Sequence, residues 1–204
     1  KDFDTNALWY NKDLFDQAGV EYPTDDMSYE DLVALATELK DKLPEGVYPF
    51  ACPVDFQTWY YQTVYANGGW ILNDDATETG YGDAKTQEGI QCWIDMIDAG
   101  LSPSASTLSE TGSDAMFEGE QIAMTLAGSY MVPEYASNDT IKDKINCVEI
   151  PTFNGVEDNC INGLGYAVYE GSKNKEEAEK FAIWLGSSEA QQIQGETGVV
   201  ISAR

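Results

Sequence analysis

The stretch MFEGEQIAMTLAGSYMVPEY, residues 116–135, decides the fold. Met116 and Phe117 close a helix, and Gly119 punctuates its end. Over residues 122–127 every side chain except Thr125 is apolar, which suits a short strand buried on both faces of a sheet. Gly128 lets another group approach the backbone closely, Ser129 is expected to cap the next helix, and Tyr130 sits at that helix's mouth. Ligands of open α/β sheets collect at the carboxyl ends of strands. An aromatic ring there, beside free backbone N–H groups, predicts a binding surface for a neutral polyhydroxy ligand.

Outward from that centre, helices and strands alternate. Towards the amino terminus, NALWY (6–10) reads as a strand, and Asn11 caps a short helix that Gly19 terminates. Ser28 and Asp31 form a capping box, with aspartate in place of glutamate. Leu32, Leu35, Ala36, Leu39 and Leu43 follow at helical spacing until Pro44. Residues 48–52 read as a strand. Asp55 is the expected N-cap of a helix through Phe56, Trp59 and Tyr60 that ends at Gly68 and Gly69. A hairpin is expected over 70–83, and helices over 84–99 and 107–117. Beyond the centre come a helix near 130–137 and strands over 146–150 and 161–169, the last weakened by Gly163 and Gly165. Helices opening at Asn174 and covering about 188–194 complete the chain. The alternation places the chain in the α/β class.

Composition bounds the function. Thirty-six acidic residues against eleven basic ones give a formal net charge of −25, which repels phosphate backbones and excludes nucleic acid as a partner. There is no histidine, so Ser-His-Asp and Cys-His mechanisms and histidine-ligated zinc are excluded. Carboxylate-pair chemistry is not. The cysteines at 52, 92, 147 and 160 form no CxxC pair. Cys147 and Cys160 flank a turn-rich stretch and could close a disulfide, the alternative being four buried thiols. Asn73, Asp74, Asp75, Glu78 and Asp83 lack calcium-loop spacing and read as a polar hairpin tip. No metal or cofactor is called for. The 204 residues suit one large domain or two small ones, and ends lacking a signal segment or lipid-attachment cysteine read as cut.

Several segments in order carry a resemblance: LWYNKDLFDQAGV, GGWIL, a helix ending DAGL, MFEGEQIAMTLAGSY, NGLGYAVY and SKNKEEAEKFAIWLGSSEAQQ. Together they resemble the extracellular solute-binding proteins of ABC transporters, in the sugar-binding family that includes maltose-binding protein. The resemblance implies a periplasmic-binding-protein-like fold of type II, mainly its second lobe with a fragment of the first. Residues 1–7 would be a hinge crossing segment, 8–160 the second α/β lobe, and 161–204 the return crossing with partial first-lobe helices. It further implies a lipid-anchored or periplasmic extracellular location in the full-length protein, an ABC permease as partner, and a neutral mono- or oligosaccharide as ligand. A stranded helix near the end would expose Phe181 and Leu185 unless it docks.

A pyranose offers flat C–H faces to aromatic rings and a rim of hydroxyls to amides, carboxylates and hydroxyls. Phe56, Trp59 and Tyr60 are expected on one face of a helix start that supplies rings to sugar in the family, with Trp59 the stacking platform and Gln57 a hydroxyl partner. The junction Gly128, Ser129 and Tyr130 matches a second such place, with tyrosine giving a smaller platform than the family's tryptophan. Asp4 in the crossing segment accepts sugar hydroxyls, and Asn162 and Gly163 offer contacts at the return crossing. These rings can equally be core, and Asp4 an exposed terminal acid. The expected function is therefore a non-enzymatic carbohydrate receptor, against a carboxylate-pair glycoside hydrolase or an adhesive surface domain.

Overall fold

The structure is a computed structural model that describes residues 1–52, 55–198 and 200–203. The expected last segment, 161–204, includes positions 199 and 204, which lie outside the described residues. Strand β1 (Asp2–Asp4) runs on through Thr5 into β2 (Asn6–Asn11). The Asn11 side chain accepts the Leu14 N–H at 3.2 Å and starts α1 (Lys12–Ala18), and Gly19, at a φ of 61°, ends it. The Ser28–Asp31 capping box opens α2 (Tyr29–Lys40), which stops at Lys40, short of Pro44. Then come β3 (Tyr48–Phe50) and α3 (Gln57–Ala66). The N-cap of α3 is Phe56, without a side-chain cap, so Asp55 does not play the expected part.

Asn73 Oδ1 accepts the N–H groups of Thr77 and Glu78, and Leu72 bridges Thr79, which makes the expected hairpin tip. Asp83 accepts from the N–H groups of Lys85 and Thr86 and opens α4 (Ala84–Asp98). The helix expected over 107–117 is two: α5 (Ala105–Thr111) and α6 (Ser113–Glu118). Gly112 between them has a φ of 84°, which no continuous helix accommodates. All seven residues of β4 (Ile122–Gly128) are buried, as the apolar run requires. A 3-10 turn at Ser129–Met131 leads to α7 (Val132–Ser137), followed by β5 (Ile145–Val148). The strand expected over 161–169 shortens to β6 (Asn162–Leu164), because its partner among the described residues is the three-residue β1. Helices α8 (Lys175–Leu185) and α9 (Ser188–Glu196) and strand β7 (Ile201–Ser202) follow.

Two sheets result among the described residues. One has the order β3-β4-β2-β5, with β3 parallel to β4 and the other pairs antiparallel. The other is the antiparallel set β6-β1-β7. The main core gathers Leu8, Phe15, Leu32, Phe50, Val64 and Met124 on the larger sheet. Helices α3 and α4 meet at Gly89, whose added Cβ would lie 2.7 Å from the Val64 Cα, and the Thr63 hydroxyl donates to the Gly89 carbonyl at 2.6 Å. A smaller cluster sets Phe117, Ala127, Tyr135 and Ile141 beside Trp9, which meets Tyr135 edge-on at 5.0 Å. Helix α8 buries none of its residues. Phe181 is exposed as expected, while Leu185 is half-buried.

Candidate functional site

The two sheets join at one place, and the strand registers bring the candidate residues there. In the smaller sheet Asp4 pairs with Asn162 and Phe3 with Gly163. One residue past Thr5, Asn6 pairs with Gly128 at the end of β4. The Ser129 N–H donates to the Thr5 carbonyl at 2.9 Å, and the Ser129 hydroxyl donates to Asp4 Oδ1 at 3.4 Å. Ser129 therefore ties strand tip to crossing strand instead of capping a helix, and its N–H is not free. The Asn6 Nδ2 group brings in the first turn of α3 by donating to the Thr58 carbonyl at 3.2 Å. Gln57 Nε2 donates to Asn162 Oδ1, linking α3 to the return strand.

The Tyr130 ring folds against Gly128: a Cβ there would sit 2.4 Å from Tyr130 Cε1. The close approach that a glycine permits is thus made by the site's own ring. At Gly163 an added Cβ would meet nothing within 4 Å, so no close contact requires that glycine. Burial, and then the charge of Asp2, raise the Asp4 carboxyl above its ordinary value, while the Ser129 bond pulls it back. Burial, and then the Asp114 carboxylate, raise the Tyr130 phenol, so it stays a neutral donor. Asn6 Oδ1 and Thr58 Oγ1 are buried here without a hydrogen-bond partner among the described residues.

The structure thus gathers Asp4, Gln57, Gly128, Ser129, Tyr130, Asn162 and Gly163, and Phe56, which precedes Gln57 in the chain, is 42% exposed. It does not bring Trp59 or Tyr60 to the surface. Trp59 is 6% exposed and packs in the main core with Val64 and Met124, so it is no stacking platform. Tyr60 belongs to the same core and shares a hydroxyl–hydroxyl bond with Tyr81 at 2.7 Å. Because α3 starts at Gln57, Phe56 lies outside the helix and does not share a helical face with Trp59. Asn6, Thr58 and Asn159 belong to the junction and escaped the sequence reading. Asn159 accepts the Asn6 N–H at 3.0 Å and donates to the Asn6 carbonyl at 2.8 Å. A polar Asn6 heading the apolar run NALWY was the one available signal.

All four cysteines are free and only Cys52 is buried, so neither a Cys147–Cys160 bridge nor four buried thiols describes them. No group of three or more His, Cys, Asp or Glu among the described residues is placed to hold a metal ion. A cavity of about 480 Å³ is lined by Asn6, Asp25, Cys147, Glu149, Glu157 and Asn159 among others, and by none of the candidate site residues.

The fold has counterparts among known proteins. The GacH receptor of Streptomyces glaucescens, solved without ligand and with acarbose, superposes with a TM-score of 0.81 at 24% identity, over 100% of this chain and 52% of that one. An ABC substrate-binding protein of Listeria monocytogenes, solved with cycloalternan, gives 0.79 at 29% identity, over 99% of this chain and 51% of that one. A relative in Brucella abortus (strain 2308), described only as a binding protein, is 28% identical over 194 residues, matching 88% of this chain and 44% of its own. The chain spans about half the length of the proteins it matches. Its fold is periplasmic-binding-protein-like, type II. Residues 1–192 match the family model for bacterial extracellular solute-binding proteins, and the chain belongs to that family.

Proposed function

We propose that this chain supplies one wall and the hinge of a carbohydrate receptor outside the membrane, which closes over a neutral mono- or oligosaccharide and delivers it to an ABC permease. In this reading residues 8–160 are the second lobe, 1–7 cross the hinge, and 161–204 return to the first lobe. The observation that carries it is the convergence of Asp4, Ser129, Tyr130, Gln57 and Asn162 where the two sheets join. The Tyr130 and Phe56 rings cover C–H faces, the Asp4 carboxylate accepts hydroxyls, and the paired amides of Gln57 and Asn162 complete the rim. Closure is selected because a ligand touching both lobes makes contacts the open form lacks. The acarbose and cycloalternan bound by the two solved relatives support a hydroxyl-rich ligand. The receptor does no chemistry.

The test is a thermal-shift screen of a sugar library on the full-length protein, followed by calorimetric titration. Asp4→Asn is expected to weaken the best sugar about 10- to 100-fold, the worth of charge-assisted bonds at about 1.5–3 kcal/mol. Tyr130→Ala should weaken it about tenfold. Unchanged affinity in both variants, or new reducing ends from an oligosaccharide, overturns the proposal.

A further inference from the structure

Asn6 breaks the pattern of the strand it opens. It shares a face of β2 with Leu8 and Tyr10, which both lie in the main core, and it is only 5% exposed. An apolar residue would continue that face, and a buried amide there is unfavourable unless it is bonded. The Nδ2 group gives its two hydrogens to carbonyls of two distant segments. One is Thr58 in the first turn of α3, at 3.2 Å, and the other is Cys160 on the approach to β6, at 3.4 Å. The Oδ1 atom lies 3.3 Å from where a Cβ on Gly128 would sit. The Asn6 backbone faces Gly128 on one edge. On the other edge, past the end of β5, the Asn159 amide stands in for a strand by accepting the Asn6 N–H and donating to its carbonyl. Each of the three segments that Asn6 meets carries a candidate ligand group close by. Gln57 precedes Thr58, Asn162 follows Cys160 by two residues, and Tyr130 follows Gly128 by two. A single side chain therefore sets the gap across which Gln57 donates to Asn162.

We infer that Asn6 is a positioning residue of the receptor site. It touches no ligand itself, and aligns Gln57, Asn162 and Tyr130 into one set by holding α3, the return segment and the strand tip at fixed separations. The inference rests on the receptor reading proposed for this junction. Alignment matters because hydrogen bonds tolerate little displacement: donor–acceptor distances span only about 2.7–3.2 Å, so a shift of about 1 Å in one partner removes the bond.

Asn6→Leu removes both donors, keeps the size of the side chain, and continues the apolar face with Leu8 and Tyr10. It also removes Oδ1, which is buried without a partner among the described residues. Affinity and stability should therefore separate. In the full-length protein the melting temperature should stay within about 3 °C of wild type, while the best sugar of the thermal-shift screen binds about tenfold more weakly in calorimetry. In a Gln57→Ala background the same substitution should weaken binding less than about threefold, because a group that Asn6 aligned is gone. In the ligand-free protein, hydrogen exchange should quicken about threefold or more in peptides covering 57–62 and 160–164 together, and stay unchanged in α2. If Asn6→Leu does not fold, Asn6→Ser, too short to reach either carbonyl, carries the same readouts. Four results overturn the inference: wild-type affinity in the folded variant, an equal loss with and without Gln57, an affinity loss that only tracks a falling melting temperature, or exchange unchanged in either segment. A wild-type protein that binds no sugar of the library sinks the receptor reading instead. Exchange then decides on Asn6 by itself, quickening in both segments supporting the alignment and its absence overturning it.

Discussion

Two glycines show how one added methyl does different work in different places. At Gly89 an alanine Cβ would meet the Val64 Cα at 2.7 Å and the Thr63 carbonyl oxygen at 2.8 Å, both backbone atoms that cannot step aside. Gly89→Ala is expected to cost about 1–3 kcal/mol in urea unfolding by forcing α3 from α4. At Gly128 the obstacle is the Tyr130 ring, a side chain that can swing away. Gly128→Ala should therefore change stability by less than about 1 kcal/mol while weakening sugar binding as strongly as Tyr130→Ala. Trp59 and Phe56 form a second contrast. Trp59→Ala should lose about 3–5 kcal/mol of stability, since the ring is in the core. Phe56→Ala should stay within about 0.5 kcal/mol in the same assay and lower sugar affinity. Sequence reading saw rings at the start of this helix but not which of them faced out. Helical spacing applies only inside the helix, and the boundary fell between Phe56 and Gln57. The strand tip carrying Ser129 and Tyr130 left a local signal in the apolar run that ends at Gly128, though Ser129 ties to Asp4 and Thr5 instead of capping a helix, and the crossing segment of Asp4 came from the resemblance. The Asn6–Thr58 and Asn6–Asn159 bonds were not legible, because they join residues 52 and 153 positions apart.

Among the elements, α6 and α7 carry an acid-sensitive contact. Burial raises the Asp114 carboxyl, and the Tyr135 hydroxyl, which donates to it at 3.3 Å, opposes that rise. Glu118 on the same helix is raised by burial and then by Glu134. A carboxyl whose folded-state value is raised favours the fold when protonated. That stability is fully present below the unfolded value and is lost as pH rises through the folded one. Asp114→Asn keeps an acceptor for Tyr135 and removes the titration. Unfolding free energies measured from pH 3 to pH 7 should fall less steeply in the variant, which should be the more stable protein at pH 7 and no more stable at pH 3. Apolar periodicity located the helices of this region but merged α5 with α6, because the alternation of Leu108, Met116 and Phe117 continues through Gly112. The left-handed backbone of that glycine makes the break. The strand expected over 161–169 failed for another reason. Its length is set by the partner available for pairing, and β1 offers three residues.

For the whole molecule the dominant quantity is charge. A net −25 is opposed by few cations, and several of the ion pairs, such as Lys42–Glu38 at 2.6 Å and Lys180–Glu176 at 2.7 Å, lie at exposed positions. Such pairs contribute about 0–1 kcal/mol each, so self-repulsion is incompletely offset. Raising sodium chloride from about 0.02 to about 0.5 M should raise the melting temperature by several degrees in calorimetry, through screening. Fold class was readable at this scale, since the alternation of helices and strands survives errors of one or two residues at each boundary. The placement of the smaller sheet was not, because its strands are too short to carry a pattern. That sheet also sets an order of events. Its middle strand pairs with Asn162–Leu164 and Ile201–Ser202, both far along the chain from it. The loop-closure cost of so distant a pairing makes this seam the slow, late step of assembly.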